Sequence, residues 1–299
     1  MPVDGINPEV SYKLTVVIAE EMAVANLVDV FDHLQPKCYP DVEFLICTAS
    51  DNLLLSGVPQ AVNVRVIPAE PGTRIPLLWR DGIRKAEADK VALTTAHCIP
   101  SKQWIEQLLA YDLTDNFVAV GGAIENVKND NPVGRAIYIL RYVNYTKARA
   151  SGEVQDIAAD NALYRKADIL RHKDLLDIGF WEPSFHKRFI SDGMKMRFDN
   201  ELTVAHRNRY SVKQFMTQRF SHGIEFGMER AKSMTLAKRL MMIGLSPLIP
   251  LVFLRKIMNK TRFDNQFKLR FNLDFFWLFV FILAWALGET IGYGKRSST

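Results

Sequence analysis

The feature that most constrains this fold is the regular alternation of short apolar runs with segments of helical periodicity between residues 14 and 113. Segments with apolar residues three and four apart lie at 24–34, 75–88 and 101–113. The β-branched apolar runs are Leu14–Ile18, Val42–Ser50, Val62–Ile67 and Lys90–Thr95. Strands that alternate with helices at this spacing predict an α/β fold, with a mostly parallel sheet sandwiched by helices.

Ligands of such sheets bind beyond the carboxyl ends of the strands, so the residues after each run are the first binding candidates. Ala19 and Glu20 follow the first run, and Ser50 and Asp51 lie at the end of the second run and just after it. The stretch Thr95–Cys98, which reads TAHC, begins at the last residue of the fourth run. The first strand is not followed by a glycine-rich phosphate loop, which argues against a dinucleotide-binding protein or a nucleotidyltransferase.

The cysteines and the N-terminus predict a reducing compartment. Cys38, Cys47 and Cys98 are odd in number, widely spaced and form no CxxC pair, so neither a disulfide framework nor a structural zinc site is indicated. The N-terminal stretch MPVDGINPEV lacks the basic start and apolar core of a signal peptide. We expect the bulk of the chain to be cytoplasmic.

Two apolar segments near the C-terminus, Leu240–Leu254 and Phe275–Gly288, predict contact with a membrane. A span needs about 20 apolar residues, and the first segment is shorter and contains Pro247 and Pro250. A buried core helix is the alternative for each. Lys and Arg greatly outnumber Asp and Glu between residues 206 and 270, which together with the apolar segments favours anionic lipid over nucleic acid.

The basic connector between the segments constrains the topology. Its sequence is RKIMNKTRFDNQFKLR, and short basic loops resist transfer across a membrane. We therefore predict that the first segment is re-entrant or lies in the interface and that the second is inserted more deeply. The predicted division is a catalytic domain over residues 1–235 and a membrane-associated helical region over 236–299, attached to the inner or plasma membrane.

Several motifs resemble, in order and spacing, family 2 glycosyltransferases with the GT-A fold. They lie within residues 12–230 and read LTVVIAEE, YPDVEFLICTAS, RDGIRKAEADKVALTTAHCIPSKQW, VGGAIEN, DNALYRKADIL, GFWEPSF, ISDGMKMRF and VAHRNRYS. The resemblance implies the nucleotide-diphospho-sugar transferase-like fold. It also implies an inverting, hexosyltransferase-type enzyme that moves a sugar from a nucleotide-sugar donor to a lipid-linked or membrane-proximal acceptor.

The fourth-strand motif departs from the family pattern. The family commonly carries Asp-x-Asp there, whose carboxylates hold a divalent cation on the diphosphate, whereas this chain has Thr95 and His97. His206 matches a late His of the family. The resemblance therefore implies a cation held by His97 and His206, with Mn²⁺ preferred to Mg²⁺ because imidazole is a poor ligand for magnesium. The alternative is that His97 only forms hydrogen bonds within its loop.

The resemblance also implies roles for other residues. An inverting transfer needs a carboxylate base, which the family takes from a Glu-Asp pair that here reads Ser191-Asp192, so Asp192 is the predicted base. Capping of the next segment is the alternative role for Asp192. The predicted donor-side residues are Ala19, Glu20, Ser50, Asp51, Arg80 and Ala96, and the predicted acceptor-side residues are Asn161, Arg165 and Trp181.

A second function class remains open at this point. Thr95, Ala96 and Ser191 each replace an acidic or ligand position, which is what a catalytically silent family member serving as a membrane scaffold would show. The presence of Asp192, Asn161 and His206 argues for an active enzyme. The pair Gln218-Arg219 is not followed by Trp, so processive polymerisation is not supported.

Overall fold

The computed structural model describes residues 11–21, 27–50, 57–113, 117–127, 131–208, 210–232, 234–261 and 273–295. The chain forms two compact units, one of residues 1–125 with 145–207 and the other of residues 126–144 with 208–299. Asp51 and the first residues of the helix predicted at 24–34 lie outside the described residues.

The first unit contains all nine described strands. The strands are β1 (Leu14–Glu20), β2 (Val42–Thr48), β3 (Val64–Pro68), β4 (Lys90–Thr95), β5 (Cys98–Pro100), β6 (Phe117–Asn126), β7 (Gly152–Val154), β8 (Asn161–Arg165) and β9 (Lys195–His206). Its helices are α1 (Val28–Leu34), α2 (Ile75–Lys85), α3 (Trp104–Ala110), α5 (Lys166–Arg171), α6 (Lys173–Ile178) and α7 (Glu182–Ser191), with a 3-10 turn at Pro36–Cys38.

One sheet runs through this unit in the order β3-β2-β1-β4-β8-β6-β9-β5, with β7 paired to β9. The pairs β2–β3, β1–β2 and β1–β4 are parallel, whereas β8 joins β4 in the antiparallel sense. Helices flank the sheet, and every residue of β1 and β2 is buried, as expected for strands covered on both faces. The predicted α/β fold with a mostly parallel central sheet is confirmed.

Two contacts of α2 fix this helix close to the ends of the strands. A Cβ at Gly82 would lie 2.3 Å from Val17 Cγ1, so only glycine allows this approach of α2 to β1. The indole Nε1 of Trp79 donates a hydrogen bond of 3.0 Å to the carbonyl of Thr94, the last residue but one of β4. The helix therefore supports the strand end that precedes the TAHC stretch.

The second unit is helical. It contains α4 (Pro132–Tyr142), α8 (Val212–Lys232), α9 (Leu236–Leu245), α10 (Ile249–Thr261) and α11 (Leu273–Gly294), with a 3-10 turn at Ser246–Leu248. The helix α4 begins at Pro132, because the Asn131 side chain caps it by accepting a hydrogen bond from Gly134 N and proline suits the first turn. The 3-10 turn at Pro247 interrupts the α-helical hydrogen bonds where the two prolines predicted a break.

The helices α8 and α11 lie side by side in the same direction and are held together by glycines. A Cβ on Gly223 would lie 2.1 Å from Trp285 O, and one on Gly227 would lie 2.3 Å from Glu289 O. A Cβ on Gly288 would in turn lie 2.1 Å from Phe220 O. The backbones of the two helices therefore touch, as in other glycine-mediated helix pairs.

Two helical stretches are long and apolar enough to cross a membrane by length and composition. They are Leu236–Thr261, with mean hydropathy 1.7, and Leu273–Gly294, with mean hydropathy 1.8. The core helix of a soluble protein passes the same test. The membrane association predicted from the sequence is thus compatible with the helices, and its form is argued below.

Candidate functional site

The sheet brings four of the predicted donor-side residues, Ala19, Glu20, Ser50 and Ala96, to the carboxyl ends of β1, β2 and β4. Glu20 pairs with Thr48, and Ala19 pairs with Thr95. The Ala96 N–H donates to Ala19 O at 3.0 Å, which holds the chain after β4 against the end of β1. Ser50 follows β2 at this same edge, where ligands of parallel sheets bind.

Glu20 is a buried carboxylate at this edge, with 3% of its surface exposed. Thr48 Oγ1 donates a hydrogen bond of 2.8 Å to Glu20 Oε2, and the Ser50 N–H donates to Thr48 Oγ1 at 3.0 Å. Burial raises the pKa of Glu20, and the hydrogen bond from Thr48 partly opposes this rise. The carboxylate is therefore fixed in one orientation beside the strand ends.

The two predicted metal ligands, His97 and His206, are neighbours. Cys98 of β5 pairs with His206 at the end of β9, and the Arg207 N–H donates to His97 O at 2.8 Å. The ring centroids lie 6.5 Å apart, and both side chains are buried. The antiparallel pairing of β5 with β9 thus joins two histidines that are 109 positions apart in the sequence.

The separation of the rings limits how they can hold a cation. An imidazole nitrogen binds a first-row metal at about 2.1 Å, which places the metal about 3.2 Å from the ring centroid. At the observed separation of the ring centroids, both rings reach one ion only if the two nitrogens and the metal are nearly collinear. Nitrogen–metal–nitrogen angles of 90° to 110° require the centroids to approach each other by about 1 to 2 Å. The described residues include no group of three or more His, Cys, Asp and Glu side chains arranged for a metal. As they stand, the two imidazoles do not form a closed cation site: they would have to approach each other, and a bound anion would have to supply further ligands.

Asp160 is a site residue outside the set predicted from the sequence. It is 6% exposed, and its Oδ1 accepts a hydrogen bond of 3.2 Å from Thr95 Oγ1. Thr94 Oγ1 also donates to the Asp160 carbonyl at 2.9 Å. A carboxylate from the segment before β8 therefore lies beside the position where the motif lacks its first aspartate.

Glu182 is the second carboxylate that the sequence did not single out. It opens α7, and its Oε1 accepts a hydrogen bond from the Ala159 N–H, one residue before Asp160. A cavity of about 700 Å³ lies beside it, lined also by Tyr145, Asp156, His186 and Lys187. An acid followed by proline at a helix start was the available signal, because carboxylates are favoured at helix N-termini.

The structure does not bring the predicted base Asp192 to this group. Asp192 lies at the C-terminal end of α7, where its Oδ2 is 3.3 Å from His172 Nε2. The 12-residue strand β9 separates it from His206 and measures about 35 Å along its path. The alternative role as a cap of the following segment is wrong, because the residues after Asp192 form this strand and not a helix; Asp192 is instead the C-cap residue of α7.

Asn161 and Arg165, predicted on the acceptor side, make internal contacts. Asn161 is fully buried; its Oδ1 accepts from Trp104 Nε1 at 2.8 Å, and its Nδ2 donates to two strand carbonyls at 2.9 Å. Arg165 pairs with Lys90 at the opposite end of β4 and forms an ion pair with buried Asp168. This geometry supports a structural role for both residues and does not support acceptor binding.

The last two predicted residues lie on the surface of the first unit. Arg80 of α2 forms an ion pair of 2.7 Å with Asp81 and donates to Asp177 O at 3.4 Å. Trp181 immediately precedes Glu182, and its Nε1 donates to Ile178 O at 3.3 Å. Trp181 is therefore adjacent to the carboxylate at the start of α7.

Comparison with solved structures supports the fold. The chain is similar to the mannosyltransferase PcManGT from Pyrobaculum calidifontis, solved in complex with GDP-Man and Mn²⁺, with a TM-score of 0.54 and 14% identity over 97% of this chain and 90% of that chain. A mycobacterial protein has a TM-score of 0.45 and 14% identity over 71% of this chain and 73% of its own. No protein-family model and no curated protein matches the sequence. At this identity the first similarity shows the fold alone.

Proposed function

We propose that the chain is an inverting, hexosyltransferase-type glycosyltransferase that uses a nucleotide-sugar donor and a lipid-linked or membrane-proximal acceptor. The observation that carries the proposal is the buried pair His97 and His206 at the carboxyl edge of the sheet. Asp160 accepts a hydrogen bond from Thr95 at this edge, and Glu182 accepts one from Ala159, the residue before Asp160. The similarity of the fold to a mannosyltransferase solved with GDP-Man and Mn²⁺ supports this assignment.

His97 and His206 would hold a divalent cation, with Mn²⁺ preferred to Mg²⁺ because both protein ligands are imidazoles. When bound, such a cation neutralises the charge that develops on the leaving diphosphate. Glu20 and Ser50, at the neighbouring strand ends, are the residues proposed to contact the nucleotide part of the donor.

The acceptor hydroxyl needs a base as it attacks the anomeric carbon. We assign this role to Glu182 in preference to Asp192, because Glu182 lies on a cavity and is hydrogen-bonded to the segment that carries Asp160. In this step the new bond from the acceptor oxygen to the anomeric carbon forms, and the bond from that carbon to the diphosphate breaks. The hydroxyl proton passes to the Glu182 carboxylate and the negative charge passes to the diphosphate.

The packing of α8 against α11 supports attachment to one face of the membrane. The two helices run in the same direction, with ring contact at Phe215–Phe281 and backbone contact at Gly227–Gly292. If α11 crossed the bilayer, α8 would enter it too, and exposed Glu225 in the middle of α8 would cost about 2.5 to 3.5 kcal/mol. We therefore propose that these helices lie in the interface, with the catalytic unit in the cytoplasm.

The exposed residues of α11 fit this orientation. Large apolar side chains are exposed at Phe276, Phe279, Leu283, Leu287 and Ile291, which are three and four residues apart and so form one stripe. The exposed residues of α9 and α10 are also largely apolar. A stripe of this kind enters the boundary between headgroups and acyl chains of a lipid monolayer.

The test is donor turnover by the full chain in detergent. Release of nucleoside diphosphate is measured across a panel of nucleotide sugars, with Mn²⁺, with Mg²⁺ and with a chelator. We expect turnover of at least one donor, faster with Mn²⁺ than with Mg²⁺. If the protein binds donors but turns over none of them with any acceptor lipid, the silent scaffold replaces the enzyme as the interpretation.

A further inference from the structure

The helical unit contains a cavity of about 290 Å³ between α4, α8, α10 and α11. Its walls are apolar and include Phe253, Ile257, Phe281 and Trp285. Arg219, Lys256 and Lys260 add three cations to the lining, and no Asp or Glu is among the described residues that line it. The cavity therefore combines apolar walls with positive charge, which an ordinary core cavity does not do.

Arg219 is the lining residue that has a buried hydrogen-bond donor without an acceptor among the described residues. Its Cζ lies 5.0 Å from the centroid of the Phe215 ring, and its Nη2 lies 3.0 Å from His222 Nδ1. The buried Nε atom has no hydrogen-bond partner among the described residues. Burial, and then the nearby Arg141, lower the pKa of Arg219 to about 10. Arg219 is partly buried, and no carboxylate is among the described residues that line the cavity, so a bound anion would offset part of the cost of desolvating its guanidinium.

We propose that this cavity binds a phosphate-bearing lipid. The three cations match a phosphate group, to which guanidinium and ammonium groups form strong charge-assisted hydrogen bonds. The apolar walls match a hydrocarbon chain. The volume is at the lower end for small-molecule sites, so it holds the headgroup and the first part of a chain and not an entire lipid.

The surface beside the cavity explains how the rest of such a chain is accommodated. Leu251 and Val252 of α10 are exposed, and they adjoin Phe253, which lines the cavity. A chain that leaves the cavity here continues along apolar side chains. The site does not depend on the proposed glycosyl transfer, and a bilayer phospholipid and a single-chain lipid phosphate share the chemistry that it recognises.

The test compares two double variants of the full chain, purified in a neutral detergent. Lys256→Gln with Lys260→Gln removes two charges from the cavity, and Lys238→Gln with Arg255→Gln removes two exposed charges of α9 and α10 outside it. A third variant, Val143→Trp, fills the cavity and keeps all charges. The probes are dodecyl phosphate, dodecanol and inorganic phosphate, with bound mass counted by native mass spectrometry and folding checked by circular dichroism.

We expect the cavity double variant and Val143→Trp each to weaken dodecyl phosphate binding about tenfold or more, from the loss of charge-assisted contacts or of space. The control double variant should stay within about twofold of the unchanged chain, because Lys238 and Arg255 do not line the cavity. Equal weakening in both double variants would mean nonspecific attraction and would overturn the proposal. Equal binding of dodecanol, or of inorganic phosphate, would overturn it as well.

Vesicles distinguish the two sources of the phosphate. The same variants are bound to phosphatidylcholine vesicles with and without phosphatidic acid. A difference between the two double variants that depends on phosphatidic acid assigns the cavity to a bilayer phospholipid. A difference seen only with dodecyl phosphate assigns it to a single-chain lipid phosphate, and no difference with either probe refutes the site.

Discussion

Glu182→Gln is the sharpest test of the proposed chemistry, because it removes the base and keeps the local structure. The Glu182 Oε1 accepts a hydrogen bond from the fully buried Ala159 N–H, and the amide oxygen of Gln can accept the same bond. Substitution by Ala would instead leave that N–H without an acceptor, at about 1 to 3 kcal/mol of stability. Loss of a general base slows turnover by about 100- to 10,000-fold, or about 2.7 to 5.5 kcal/mol in activation free energy.

The measurement is release of nucleoside diphosphate at saturating donor and acceptor, together with donor affinity from calorimetry. Glu182→Gln should lower kcat by this amount and leave donor affinity nearly unchanged, because the lost interaction is made in the transition state. Asp192→Asn is the matched control and should stay within about twofold, as surface substitutions usually do. If Asp192→Asn is slow and Glu182→Gln is active, the base is Asp192 and the argument from the cavity fails.

Three further predictions follow from other parts of the molecule. His97→Ala should weaken Mn²⁺-dependent binding of a nucleoside diphosphate, and His206→Ala should cost less when added to it than alone, since both are proposed to act on one ion; calorimetry with and without chelator measures this. Burial lowers the pKa of His186 to about 4, so stability should be lost as pH falls from about 6.5 towards 4, by about 3 kcal/mol, and thermal unfolding of His186→Gln should show a flatter pH profile. Gly288→Ala should destabilise the chain by about 2 kcal/mol or more, whereas Gly244→Ala, with open space around its Cβ, should be neutral or stabilising in the same thermal assay.

The sequence was sufficient to predict the parallel part of the sheet, because β1, β2 and β4 are continuous apolar runs and their carboxyl ends must lie at one edge. Only the β5–β9 pairing brings His97 and His206 together, and the three-residue strand β5 gives no signal of that pairing in the sequence. The sequence could not predict the direction of β8, because a five-residue strand carries no signal of its partner. Because β8 is antiparallel to β4, Asn161 lies beside the carboxyl end of β4, where the site is, and Arg165 lies beside the other end of β4.

The positions of the carboxylates in the sequence could not decide which of them is the proposed base. Asp192 and Glu182 stand at opposite ends of α7, so the choice between them depends on which end of the helix faces the site. The hydrogen bond from the Ala159 N–H to Glu182 Oε1 favours the N-terminal end of α7. The two residues are ten positions apart, which corresponds to about 15 Å along a helix and exceeds the reach of any side chain.

The altered fourth-strand motif has a structural counterpart that bears on the choice between enzyme and scaffold. Asp160 Oδ1 lies 3.2 Å from Thr95 Oγ1, so a carboxylate remains at this position although it comes from a different strand segment. An aspartate at position 95 would place two carboxylates in contact in a buried space, where their repulsion is costly unless a cation lies between them. Thr95 avoids that repulsion and donates a hydrogen bond to the one carboxylate present. A carboxylate therefore lies beside Thr95, and the threonine at this position alone is not an argument for a silent protein.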